Sequence, residues 1–213
     1  MKIKLFLSAA ICLSLSNTTF ANNVDLCATK INTGLFADAV PYCEKACNLN
    51  NGASCGVLGL LYTHGRGVKQ NYQRAKTYYE KSCNLNNGLG CSYLGALYNE
   101  GLGVKQDYQQ ANTYYEKACN LDEGGRCNYL GTLFDLGDLG LGVKQDYQQA
   151  KTYYEKACNL NIGVGCKNLG FLYDKGRGVR QSKQTAKEYF GKACDLGYQK
   201  GCDEYRRLNE QGY

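Results

Sequence analysis

Along residues 71–83 the apolar and small side chains fall at Ala75, Tyr78, Tyr79, Ser82 and Cys83, the i, i+3, i+4, i+7, i+8 spacing of one helical face. Gln73, Lys76 and Glu80 take the opposite side. The same face returns as Ala111, Tyr114, Tyr115, Ala118 and Cys119. A second set follows each time at helical spacing, Cys91, Leu94, Gly95 and Tyr98, then Cys127, Leu130, Gly131 and Phe134. The pattern predicts pairs of amphipathic helices, each burying a stripe it cannot bury alone.

The boundaries of these pairs are also marked. Asn71, Asp107, Asp146 and Ser182 stand where a first helix needs an N-cap, and Gln110 and Gln149 lie three residues after the two aspartates, as in a capping box. Gly88, Gly124 and Gly163 are expected to close the first helices in the left-handed conformation. Gly-x-Gly-Val segments at Gly65, Gly101, Gly140 and Gly176 are expected to turn the chain into the next pair. Gly59, Gly95, Gly131 and Gly170 recur inside the second helices, where glycine costs up to about 1 kcal/mol against alanine, so close helix–helix approach is expected there. Pro41 is expected to kink the first helix of the array.

Cys47, Cys83, Cys119, Cys158 and Cys194 are separated by 36, 36, 39 and 36 residues, and each is followed eight residues later by Cys55, Cys91, Cys127, Cys166 or Cys202. A period of this length specifies a solenoid. The expected fold is all-α, an α/α superhelical solenoid of helix-turn-helix repeats at 35–70, 71–106, 107–145, 146–181 and 182–213. A capping helix at 22–34 precedes them, and the three extra residues fall within Asp135–Gly140. Tyr205, Arg206 and Asn209 give the last repeat a polar outer face.

Residues 1–21 read as a cleavable signal peptide, with Lys2 and Lys4 before the apolar run Leu5–Leu15 and a small residue at Ala21. The run spans eleven residues, short of the roughly 20 that cross a bilayer. Lipidation at Cys12 is the alternative, and Ile11 disfavours it. Twelve cysteines remain after residue 21, an even number that reads as a disulfide framework in an exported chain, secreted or periplasmic. Each Cys-x7-Cys pair would staple its own hairpin, and Cys27 with Cys43 would pin the capping helix. Beyond residue 21 the chain carries 23 basic and 19 acidic residues, a net charge of +4, with no contiguous basic patch. That disfavours nucleic acid as a partner.

Repeats reading Ala-x-x-Tyr-Tyr-Glu-Lys-Ala-Cys-Asn-Leu, then Gly-x-Gly-Cys-x-x-Leu-Gly-x-Leu-Tyr, then Gly-x-Gly-Val-x-Gln resemble Sel1-like repeats, relatives of tetratricopeptide repeats. The paired Cys-x7-Cys is similar to the Helicobacter cysteine-rich protein group. The resemblance covers residues 35–213. It implies an exported protein and, from that group, penicillin binding with slow β-lactamase activity, antibiotic resistance, or provocation of a host immune response. From Sel1-like proteins more broadly it implies a scaffold that binds other proteins.

The residues themselves point to binding rather than catalysis. Ser-x-x-Lys, Ser-Asp-Asn and Lys-Thr-Gly do not occur, so no serine β-lactamase constellation is present. Gly52-Ala53-Ser54-Cys55-Gly56 matches a nucleophile elbow, but Ser54 holds a helix-to-helix turn position taken elsewhere by Gly90, Arg126, Gly165 and Gly201. The cysteine spacing is unlike that of a zinc site and His64 is the single histidine, so no metal or other cofactor is expected. His64 is read as a solvent-facing helix end, and the tyrosines as core. A concave groove lined by the first helices is the expected site, with Gln73, Lys76 and Glu80, Gln109, Asn112 and Glu116, and Gln148, Lys151 and Glu155 facing an extended peptide or a partner protein. β-Lactams or peptidoglycan-like peptides are the further ligands the resemblance implies. The chain is expected to be a monomer with no membrane span.

Overall fold

The computed structural model describes residues 21–137 and 143–213. Apart from Ala21, the expected signal peptide lies outside the described residues, as do residues 138–140 of the expected insertion. Helix α1 runs through residues 21–32. Five hairpins follow: α2 (Phe36–Asn48) with α3 (Gly52–His64), α4 (Tyr72–Asn84) with α5 (Gly88–Glu100), α6 (Tyr108–Asn120) with α7 (Gly124–Leu136), α8 (Tyr147–Asn159) with α9 (Gly163–Lys175), and α10 (Lys183–Asp195) with α11 (Gln199–Glu210). The described residues are helices joined by turns, so the all-helical repeat fold is as the periodicity requires. No described helix is long and apolar enough to cross a membrane. Pro41 lies within α2, which continues through it to Asn48.

The first helices start at their predicted caps. Asn71 Oδ1 accepts from the Arg74 amide at 3.0 Å, Asp107 Oδ1 from Gln110 at 2.9 Å, and Ser182 Oγ from Thr185 at 3.2 Å. Such a cap contributes about 1 kcal/mol. Two second helices are capped as well, by Asn51 on Ser54 and Asn87 on Gly90, at 2.8 and 3.0 Å.

The first helices close differently from the expectation. The left-handed residues are Asn50, Asn86, Asp122 and Asn161 in the first four repeats, with φ of 57 to 66°, and Gly197 in the fifth, whereas Gly88, Gly124 and Gly163 begin the following helix. Asparagine and aspartate tolerate this conformation, so four of the five turns do without glycine. Gly163 serves a different end: a Cβ there would stand 2.8 Å from Cβ of Tyr198 in the next repeat.

The described residues form two compact units, divided between Gln106 and Asp107. In the first, Cys27, Ala39, Cys43, Cys47, Cys55, Leu58 and Leu61 form a buried cluster, against which Ile31 and Phe36 pack. In the second, Tyr154, Leu169 and Leu172 form one cluster and Phe190 and Leu208 another. Burying each leucine or phenylalanine among them stabilises by about 1.5–3 kcal/mol.

Six disulfides join Cys27–Cys43, Cys47–Cys55, Cys83–Cys91, Cys119–Cys127, Cys158–Cys166 and Cys194–Cys202, with Cα–Cα distances of 4.5 to 4.9 Å. The five short bridges each tie the end of a first helix to the start of its partner. Closing an eight-residue loop contributes roughly 2.5 kcal/mol through the entropy of the unfolded chain, on a model whose mechanism is debated. Bridges of this kind fit an oxidising, non-cytoplasmic compartment.

The recurring glycines inside the second helices have a specific cause. The second aromatic residue of each pair belongs to the next repeat's first helix and lays its ring on the glycine: Tyr154 on Gly131 and Phe190 on Gly170, with 2.5 and 2.7 Å from a hypothetical Cβ to the nearest ring carbon. The close approach predicted from sequence is therefore ring against backbone, between consecutive repeats.

Candidate functional site

Adjacent residues on a helix point 100° apart, so the paired tyrosines of the first helices cannot share one environment. Tyr79, Tyr115 and Tyr154 are buried, whereas Tyr78, Tyr153 and Tyr189 are half-buried at the edge of the polar stripe. Sequence reading placed all of them in the core. Each edge tyrosine stacks on an aromatic ring from the preceding second helix. Tyr62 and Tyr78 lie 5.5 Å apart between centroids, Phe134 and Tyr153 5.6 Å, and Tyr173 and Tyr189 5.7 Å, with interplanar angles of 12, 11 and 19°.

A glutamate from the first helix of the preceding repeat meets two of these hydroxyls. Tyr78 donates to Glu44 Oε1 at 3.5 Å and Tyr153 to Glu116 Oε1 at 3.1 Å. Burial raises the Tyr153 phenol, and the Glu116 charge and hydrogen bond add to it, up to about 12. Burial, followed by Glu44, also raises Tyr78, but there the Arg74 guanidinium opposes the shift. Arg74 Nη1 donates to Tyr62 Oη at 3.0 Å, and its Cζ sits 5.4 Å from the Tyr62 ring centroid.

The nine groove residues expected from sequence fall on α4, α6 and α8. Lys76 and Glu80 form an ion pair at 3.0 Å, as do Lys151 and Glu155. The glutamate hydrogen bond raises each lysine above its ordinary value. Gln73 and Gln148 have a structural task, each donating Nε2 to the carbonyl of the second glycine in its own repeat's Gly-x-Gly segment, Gly103 and Gly178. Gln109 and Glu116 are exposed and Asn112 is half-buried on α6. Within the second unit α6 and α8 are linked through Tyr153 and Glu116, and through Lys156, which donates to Asn120 at 3.1 Å.

Sequence reading missed Glu44, Tyr62, Arg74 and Tyr173, which build the same clusters. The signal was present in the register: Tyr62, Tyr98, Phe134 and Tyr173 all stand seven residues after the second cysteine. His64 ends α3 in solvent and borders a cleft of about 200 Å³ with Ile31, Phe36, Val57, Leu60, Leu61 and Arg66.

A family model described as Sel1 repeat matches residues 53–87, 88–123, 127–162 and 164–198. Among solved structures, the chain is similar to a protective antigen present in uropathogenic Escherichia coli strains, at 23% identity over 84% of this chain with a TM-score of 0.73. The chain spans 38% of that antigen's length. A Sel1 repeat protein from Oxalobacter formigenes matches at 23% identity over 80% of this chain and 69% of its own, also with a TM-score of 0.73. Helicobacter pylori cysteine rich protein B matches at 35% identity over 63% of this chain and 94% of its own, with a TM-score of 0.48. No protein of curated function matches the sequence significantly.

Proposed function

Because the chain belongs to the Sel1 repeat family, we propose that it is an exported scaffold that holds an extended peptide or a partner protein along the polar stripe of its first helices. The observation that carries this reading is the recurrence on that stripe, once in each unit, of a carboxylate, a phenol and a stacked ring, Glu44 with Tyr78 and Tyr62 in the first and Glu116 with Tyr153 and Phe134 in the second. Regularly repeated polar groups on rigid helices suit a ligand that is itself linear. The disulfides suit a protein that works where no reducing pool maintains free thiols.

Selection of a displayed random-peptide library on the oxidised chain, residues 22–213, tests the proposal. Enriched peptides are expected to bind at least tenfold more weakly to a K76A/E80A/K151A/E155A variant. Equal binding to both proteins, or no enrichment, would overturn the scaffold reading. The same preparation, assayed with a chromogenic cephalosporin, tests the β-lactam activity that the resemblance implies. Turnover that follows the protein through every column and is abolished by the fourfold variant would replace the scaffold by a hydrolase.

A further inference from the structure

The stripe supplies its own cations at two junctions between repeats. Between the first and second repeats, Arg74 lies over Tyr62 and bonds its hydroxyl, beside Tyr78 and Glu44. Between the fourth and fifth, Lys151 pairs with Glu155 at 3.0 Å beside the stacked Tyr173 and Tyr189. The junction between the third and fourth repeats has the same carboxylate and rings, Glu116, Phe134 and Tyr153, but neither cation. Register places Gln149 where the second repeat has Arg74, and Asn112 where the fourth has Lys151. Glu116 is exposed and accepts the Tyr153 hydrogen bond at 3.1 Å, and among the described residues no lysine or arginine pairs with it within 4 Å.

We propose that Glu116, Tyr153 and Phe134 form a subsite for a cationic side chain of the bound peptide, an arginine above all. The guanidinium would meet the Glu116 carboxylate in solvent reach and lie against the stacked rings, the arrangement that Arg74 makes internally with Tyr62. Arginine fits better than lysine, because its planar group stacks and donates to a carboxylate at once. A carboxylate already engaged by one phenol retains acceptor sites for such a donor. The inference rests on the scaffold reading and names one side chain that the scaffold selects.

The test is a titration of the oxidised chain with N-acetyl-arginine amide, followed by the aromatic NMR signals of Phe134 and Tyr153, with N-acetyl-citrulline amide as the neutral isostere. Saturable shifts confined to this junction are expected with arginine, at least tenfold weaker with citrulline. E116Q should weaken binding at least tenfold, and N112K, which installs the fourth repeat's lysine, should abolish it. Equal response to citrulline, or unaltered binding by a folded E116Q, would overturn the subsite. The citrulline comparison needs no variant, so it decides the matter even where a substitution perturbs folding. The titration uses no peptide partner: its failure with successful library selection removes the subsite alone, whereas failed selection removes the scaffold.

Discussion

The ring of Tyr154 rests directly on the backbone of Gly131, where a side-chain methyl would stand 2.5 Å from Cδ1. Beyond it, the Tyr154 hydroxyl reaches Thr132 Oγ1 at 3.3 Å and Asp135 Oδ2 at 3.4 Å. The contact joins the third repeat to the fourth and makes glycine a packing requirement rather than a conformational one. Gly131→Ala is therefore expected to destabilise the chain by about 1–3 kcal/mol through overpacking, despite alanine's better helix propensity. Gly125, with no heavy atom within 4 Å of a Cβ, is the control, and Gly125→Ala should leave stability unchanged or raise it by less than about 1 kcal/mol. Urea midpoints of the two variants measure the difference.

Asp174 is fully buried at the end of the array, paired with Lys183 at 2.5 Å, Lys175 at 3.1 Å and Arg207 at 3.4 Å. Burial alone would raise its carboxyl, but hydrogen bonds and charge from Lys183 and Lys175 outweigh it, so it lies below the ordinary carboxylate value. A depressed folded value stabilises the protein above the unfolded value near 3.9, and that contribution disappears as pH falls through the folded one. Asp174→Asn should cost about 2–3 kcal/mol at pH 7, below the roughly 3–5 kcal/mol of a wholly buried pair because Lys175 and Arg207 remain partly in solvent. The deficit should shrink below about pH 4, as thermal unfolding across pH 2–7 will show.

The bridges differ in what they hold. Replacing Cys83 and Cys91 by alanine should lower stability by roughly 2.5 kcal/mol and loosen the second hairpin. Replacing Cys27 and Cys43 should instead release α1 while leaving the hairpins folded. Hydrogen exchange resolved along the chain distinguishes the two patterns.

Glu116→Gln should lower the ionisation pH of Tyr153 from its value of about 12, since a neutral amide removes the repulsion that opposes the phenolate. Burial would keep it above the ordinary tyrosine value. The tyrosine Cζ resonance followed through alkaline titration reads this directly, and an unchanged midpoint would mean that the carboxylate and phenol are not coupled.

The cysteine pitch carried most of the fold in plain view, because covalent pairing demands proximity and only an antiparallel hairpin returns the chain within eight residues. The N-caps were legible for a similar reason: each is decided by atoms within three residues. Contacts between repeats were not. Phe190 lacks the hydroxyl that Tyr154 extends to Asp135, and the corresponding Asp174 is met instead by Lys183, which replaces a tyrosine, and by Arg207 from α11. Read alone, each of these three residues resembles an ordinary surface charge. The stripe was half legible: helical spacing located Lys76 and Glu80, but it did not reveal that Gln73 and Gln148 are committed to Gly103 and Gly178, since that bond spans 30 residues.

Because the two sulfurs of every short bridge belong to a single hairpin, duplication or loss of a whole repeat strands no thiol and requires no rewiring elsewhere. The array can thus lengthen or shorten by modules that bring their own covalent closure, and its polar stripe can change one register at a time.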